Sequence, residues 1–303
     1  LSCFFIFPKF EFDFIPCNMD VLLDRIHSSE QKWLKPLYSH LNELFSKTHL
    51  PSHDAQHHLR VWLYCRGLII ELHGAGVNTS LDTIDKAIIA CFFHDSGLTI
   101  DVGERHGYLG RKICEEYFTA HPDLRPANLD EVFEAIEFHD DKSKREVAVV
   151  TPYTMKTIPR LVSAADDLDA LGFIGVFRYI EIYLKRGVPD REIPKKVTTN
   201  LRNRFSNFLN VYSGLHRFAE RQKQRYKETF DFFSELDALF AQSKAIPDSQ
   251  MTVFEIIKNK VVRDRQGINQ AIEETLQTNT KGYPLCFFSK LRNELEVTSA
   301  LLL

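Results

Sequence analysis

The stretch Ile84-Asp85-Lys86-Ala87-Ile88-Ile89-Ala90-Cys91-Phe92-Phe93-His94-Asp95-Ser96-Gly97 decides how the chain folds. From Ala87 to Phe93 every residue is apolar. A helix that is hydrophobic all round has no face to give to water, so it belongs at the centre of the fold. Ser80 stands at the N-cap position, Asp82 falls in the first turn, and Gly97 closes the segment. The last turn then carries His94 and Asp95 into the interior. An imidazole and a carboxylate are costly to desolvate there unless something compensates them. A divalent cation would do so, because both groups are suitable ligands. The plain alternative is a helix end whose polar groups bond backbone and water.

Working outward, the pattern stays helical, and the class is all-α. Val21, Leu22, Ile26, Trp33, Leu34, Leu37, Leu41 and Leu44 recur at three-to-four spacing. Pro51-Ser52-His53-Asp54 stops one helix and starts the next. In that next helix Val61, Cys65, Leu68 and Leu72 form one stripe, ended by Gly74 and Gly76. His57 precedes Val61 by one turn, so it extends the stripe and points inward. Arg60 lies near the same face, whereas His58 is rotated away and His53 sits one turn further out.

Further helices are expected over Gly107 to Phe118, Leu129 to Phe138, and Ile158 to Leu171, the last closed by Gly172. In that last segment Asp166 and Asp169 are three apart and share a side, with Asp167 rotated off. Val147 to Val150 reads as a short extended piece. Val197 to Ala241 reads as one long helical stretch rich in aromatic and basic residues. After Pro247-Asp248-Ser249 an amphipathic helix is expected from Met251 to Leu276.

Composition narrows the classes. The chain has 303 residues and a formal net charge of −3, so no global basic field draws in nucleic acid. No apolar run reaches the roughly 18 residues that span a bilayer. Six cysteines occur without a CxxC pair, which points to buried thiols in a reducing, cytoplasmic compartment. Nucleotide-loop, dinucleotide-binding and serine-hydrolase motifs are absent. The Phe-rich residues 1–18 read either as sequence outside the functional protein or as an arm on the core. The expected organisation is 1–18, a principal domain over 19–245, and a helical extension over 246–303. Oligomeric state is left open.

Three segments together resemble the HD-domain superfamily of metal-dependent phosphohydrolases. They are His53-Asp54-Ala55-Gln56-His57-His58-Leu59-Arg60-Val61, Phe93-His94-Asp95-Ser96-Gly97, and Ala165-Asp166-Asp167-Leu168-Asp169-Ala170-Leu171-Gly172. They match an HDxxHxxRV helix, a buried helix ending in HD, and a distant ADxL motif, in that order. Phe218-Ala219-Glu220-Arg221 resembles the C-terminal helix of a bacterial subgroup. The resemblance covers roughly residues 30–242 and implies an HD helical bundle. It implies His57, His94, Asp95 and Asp166 as ligands of a divalent metal: Mn²⁺, Mg²⁺, Co²⁺, Ni²⁺ or Fe²⁺. The signature of the cyclic-dinucleotide subgroup is absent, and no synthetase or regulatory domain of the long alarmone hydrolases is present.

The expected reaction is hydrolysis of a phosphoester of a nucleotide or related small metabolite by metal-activated water. Asp95 is expected to bind metal and orient the nucleophile, and Asp169 to shuttle a proton. Arg60, Arg105, Lys142 and Lys144 are candidates for neutralising phosphate. His106 and His139 are read as pocket-lining substrate contacts, with a second metal as the alternative. A dinuclear-iron oxygenase and a non-catalytic nucleotide sensor are the rival readings.

Overall fold

The computed structural model describes residues 19–141, 150–242, 247–278 and 281–299. Among them every regular element is helical. In chain order these are α1 (Met19–Ser46), α2 (Ala55–Gly74), α3 (Leu81–Phe93), α4 (His106–Ala120), α5 (Asp130–Phe138) and the short α6 (Pro152–Met155). Then come α7 (Ile158–Asp169), α8 (Gly172–Lys185), α9 (Ile193–Tyr212), α10 (His216–Ala241), α11 (Gln250–Ile256), α12 (Ile268–Gln277) and α13 (Gly282–Ser299). No described helix is long and apolar enough to cross a membrane.

The all-apolar run does make α3 the central helix. Ala87 through Phe93 have no solvent exposure, and α1, α2, α5 and α7 pack around them. Ser80 caps α3 as expected, accepting from the Thr83 N–H at 3.1 Å. α1 contributes the stripe Leu22, Ile26, Trp33, Leu37 and Leu41, all fully or almost fully buried. α2 lies along α7, which brings the first and third sequence motifs onto one seam. Cys65, Cys91 and Cys114 are buried thiols, while Cys286 is an exposed one; none of the four is in a disulfide.

Three expectations about elements are corrected. Gly172 does not simply close α7: its backbone turns a corner at φ +76°, a conformation glycine adopts without strain, and α8 begins there. The stretch from Val197 to Ala241 is two helices, because Ser213 to Leu215 turn the chain so that α10 packs back on α9. The helix expected over Met251 to Leu276 is broken. α11 runs into a π-helical segment, Ile257–Arg263, and Arg265 at φ 57° separates it from α12. These C-terminal helices pack on α8, α10 and α2, with Phe254, Ile257, Phe287 and Phe288 in the same buried cluster as the central helix. The expected arm over 1–18 and the extended piece at 147–149 lie outside the described residues.

Candidate metal centre

The start of α2 and the ends of α3 and α7 meet at one point. His57 sits in the first turn of α2, where the N-cap Asp54 accepts from the N–H groups of Gln56 (3.0 Å) and His57 (3.2 Å). His94 is the C-cap of α3, and Asp95 follows it into a short 3₁₀ turn, Ser96–Thr99. Asp166 and Asp169 lie in the last turns of α7, facing α2. One ligand atom each from His57, His94, Asp95 and Asp166 lie within 4.8 Å of one another, and all four residues are buried.

The hydrogen bonds fix the tautomers. His57 Nδ1–H donates to Asp169 Oδ2 at 2.8 Å, and His94 Nδ1–H donates to the Cys91 carbonyl at 2.8 Å. Both acceptors lack a proton to give, so a neutral ring must present its Nε2 lone pair. The two Nε2 atoms face each other at 3.2 Å, with Asp95 Oδ2 at 3.3 and 3.4 Å and Asp166 Oδ1 at 3.8 Å from each. Burial, and then the Arg178 guanidinium, hold His57 down at about 4, so its ring is neutral. Burial also opposes charge on His94, but Asp95 and Asp166 outweigh it and push that ring up. Two Nε2 atoms and two carboxylates converging on one buried point favour positive charge there, which either a proton on His94 or a metal ion supplies. The donor set, two imidazole nitrogens and two carboxylate oxygens, fits a divalent metal.

A second group shares Asp95. His106 Nε2 and His139 Nε2 lie 3.5 and 3.1 Å from Asp95 Oδ1 and 3.3 Å from each other. Their Nδ1–H groups donate to the carbonyls of Gly103 (2.6 Å) and Ile136 (2.8 Å), so these rings too turn lone pairs toward the carboxylate. The three could hold an ion of their own. Glycines make the approach possible. A Cβ on Gly97 would stand 2.0 Å from the His106 carbonyl oxygen, and one on Gly107 would stand 2.4 Å from that of Glu137. The start of α4 therefore lies directly against the turn after α3 and the end of α5.

Arginines surround the carboxylates. Asp169 is fully buried and accepts from Arg60 Nε (2.8 Å) and Nη2 (3.1 Å), Arg178 Nη1 (3.1 Å) and His57. Burial opposes its ionisation, but Arg60, Arg178 and His57 hold the carboxyl far below the usual range. Arg178 Nη2 also donates to Asp166 Oδ1 and to His57 Nε2, each at 3.2 Å. Arg204 Nη1 bridges Asp166 (3.1 Å) and Asp167 (2.7 Å). Despite burial, His94 and His139 hold Asp95 ionised, and His94 and Arg204 do the same for Asp166.

A pocket of about 60 Å³ opens beside this cluster, walled by Asp95, His106, His139, Asp166, Arg178 and Arg204 among others. Arg60 and Asp169 do not line it, which bears on the expectation that they meet substrate or carry its proton. Arg60 is committed to Asp169, and Asp169 to His57. Arg105 is exposed at the start of α4, on a separate cleft that His106 and His139 also line. Lys142 and Lys144 lie outside the described residues. His58 faces α3, packing on the His94 ring and reaching the Cys91 carbonyl at 3.3 Å.

Sequence reading missed Arg178, Arg204 and the buried Glu181. Glu181 accepts from the Ser52 N–H at 3.1 Å and from its hydroxyl, and Ser52 Oγ accepts in turn from His53 Nδ1 at 2.8 Å. A signal for two of them was available: Arg178 and Glu181 interrupt the otherwise apolar Gly172–Lys185, and charges in such a helix need buried partners.

Residues 54–171 match the family model of the HD domain. The chain carries an HD domain. Its superfamily is one of metal-dependent phosphohydrolases. All six histidine and aspartate ligand candidates fall inside the matched span, whereas Arg178 and Arg204 follow it. Comparison with curated proteins and with solved structures gives no significant match.

Proposed function

We propose that this HD protein is a phosphohydrolase that cleaves a phosphoester of a nucleotide or related small metabolite. The observation that carries the reading is the pair of imidazole Nε2 atoms facing at 3.2 Å between two ionised carboxylates. His57, His94, Asp95 and Asp166 would hold one divalent ion from the series Mn²⁺, Mg²⁺, Co²⁺, Ni²⁺ and Fe²⁺. Asp95, His106 and His139 would hold a second, with Asp95 shared through its two oxygens. This gives His106 and His139 a ligand role in place of the substrate contacts expected from sequence. A bound divalent cation supplies an acidified water and draws charge from a phosphoryl oxygen.

The chain's own residues do the rest. Asp169 fixes the tautomer and orientation of His57, and Arg60 in turn fixes Asp169, so both are positioning residues. Arg178 and Arg204 border the pocket and favour an anionic substrate by charge. That favours hydrolysis of a phosphoester over an oxygenase acting on a neutral compound.

The test uses purified protein, a panel of nucleotides and model phosphodiesters, and each metal in turn. Metal-dependent release of phosphate or alcohol is expected, with loss of at least a hundredfold in His94→Ala and Asp95→Ala, given that the ion's role is a large part of the catalysis. Activity that survives both substitutions would remove the proposal.

A further inference from the structure

Beyond the metal ligands, the pocket has a second wall made by α8 and α9, outside the matched HD span. Tyr179 and Tyr183 are one turn apart on α8, with ring centroids 5.9 Å apart, and Asn200 and Arg204 are one turn apart on α9. All four line the pocket. Asn200 Nδ2 reaches only the Tyr183 hydroxyl, at a long 3.5 Å. Tyr179 is 5 % exposed, and its hydroxyl is buried with no hydrogen-bond partner among the described residues. The Asn200 Oδ1 atom is likewise buried and unpartnered, as are the Nε–H groups of Arg178 and Arg204.

Buried polar atoms without partners cost stability, so a cluster of them on one pocket wall is an imprint of what the pocket receives. The chemistry differs along the wall. Two of the unmet atoms are guanidinium Nε–H donors, on arginines whose Nη groups bond the carboxylates, and such donors suit phosphate oxygens. The other two are an amide oxygen and a phenol, which suit hydroxyl groups. His53 adds to the second kind: Ser52 gives its only proton to Glu181 and accepts from His53 Nδ1–H, so the His53 Nε2 at the pocket edge carries a lone pair.

We propose that Tyr179 and Asn200 form a hydroxyl-recognising subsite next to the metal centre, so that the substrate is the phosphoester of a polyhydroxylated alcohol. This deepens the phosphohydrolase reading and rests on it for the phosphate end alone. The hydroxyl-bearing carbon chain could belong to a sugar phosphate or to the ribose of a nucleotide. A subsite built to pair hydroxyl groups discriminates strongly against an analogue that lacks them.

The experiment compares ribose 5-phosphate, adenosine 5′-monophosphate and propyl phosphate on the Mn²⁺-loaded full chain, in the wild type and in Tyr179→Phe and Asn200→Leu. The expected result is a preference of at least tenfold in kcat/KM for one or both hydroxylated esters over propyl phosphate, collapsing in both variants. The ratio between the two hydroxylated esters separates sugar phosphate from nucleotide. Tyr179→Phe is also expected to hold or raise Tm, because it deletes a buried unpaired hydroxyl; a clear fall in Tm would mean the hydroxyl has a structural partner and would overturn the assignment. Hydrolysis of all three esters without preference, or a preference untouched by both variants, overturns the subsite and leaves the phosphohydrolase reading standing. If nothing is hydrolysed, calorimetry decides. Ribose 5-phosphate binding that weakens tenfold or more in the variants supports the subsite while the hydrolase reading falls, and absence of binding overturns the subsite.

Discussion

Asp169→Asn isolates the support of the metal centre from the ligands themselves. The carboxylate has no solvent exposure and receives four hydrogen bonds, from His57 Nδ1, Arg60 Nε, Arg60 Nη2 and Arg178 Nη1, at 2.8 to 3.1 Å. The amide keeps the shape, removes the charge, and turns one acceptor into a donor facing donors. Removing one member of a buried ion pair costs about 3–5 kcal/mol, because the partner charge stays behind. Two guanidinium groups lose their partner here, but Arg178 keeps Asp166 at 3.2 Å, so the cost should stay inside that range without doubling. Losing the group that orients a ligand histidine should also weaken metal binding by about 10–100-fold.

Urea unfolding with excess chelator reads the first effect, and calorimetric titration with Mn²⁺ reads the second. The pH dependence gives a further check. The folded carboxyl is depressed below its unfolded value of about 3.9, so its contribution is complete above that value and disappears as pH falls below it. Wild type and variant should therefore differ by the full amount at pH 7 and converge in acid. A variant within about 1 kcal/mol of wild type, with unchanged metal affinity, would refute the assignment of Asp169 as the group that holds His57, since ordinary surface changes lie in that small range.

Three other outcomes are expected. Metal analysis should find two divalent ions per chain in the wild type and one in a His106→Ala, His139→Ala double variant; two ions in both would remove the second group from consideration. Gly97→Ala places a methyl group 2.0 Å from the His106 carbonyl oxygen, so melting experiments should show at least the roughly 1–3 kcal/mol loss of an overpacked core. A Tm equal to wild type would mean that the close approach of α4 is not real. Glu294 accepts from the N–H groups of Phe173 (3.3 Å) and Ile174 (2.8 Å) at the start of α8, so Glu294→Ala should cost about 0.5–2 kcal/mol, the worth of an N-cap. An unchanged stability would show that α13 does not anchor α8.

The members of the His57, His94, Asp95 and Asp166 cluster stood out in the sequence because each obeys a local rule. His57 extends a stripe, His94 and Asp95 end a wholly apolar helix, and Asp166 sits on a periodic one. The remainder depends on contacts between elements far apart in the chain. His106 and His139 reach Asp95 only because Gly97 and Gly107 let backbones touch, and periodicity cannot report that. Gly172 was read as a stop, but a glycine at positive φ serves equally as a corner, so α8 and its Arg178 went unseen. The charges explain why Arg178 is needed and why it is not enough. Around the two imidazoles stand four buried carboxylates, Asp95, Asp166, Asp167 and Asp169, and three guanidinium groups, Arg60, Arg178 and Arg204. With neutral imidazoles the cluster is one positive charge short. Asp140, which pairs with Arg204 at 3.3 Å and lines the same pocket, widens the gap to two; one divalent ion would close it and a second would leave the cluster net positive. The electrostatic condition for binding a metal and the condition for attracting a phosphate are then the same property of one cluster, which is why the histidines and carboxylates by themselves told only part of the chemistry.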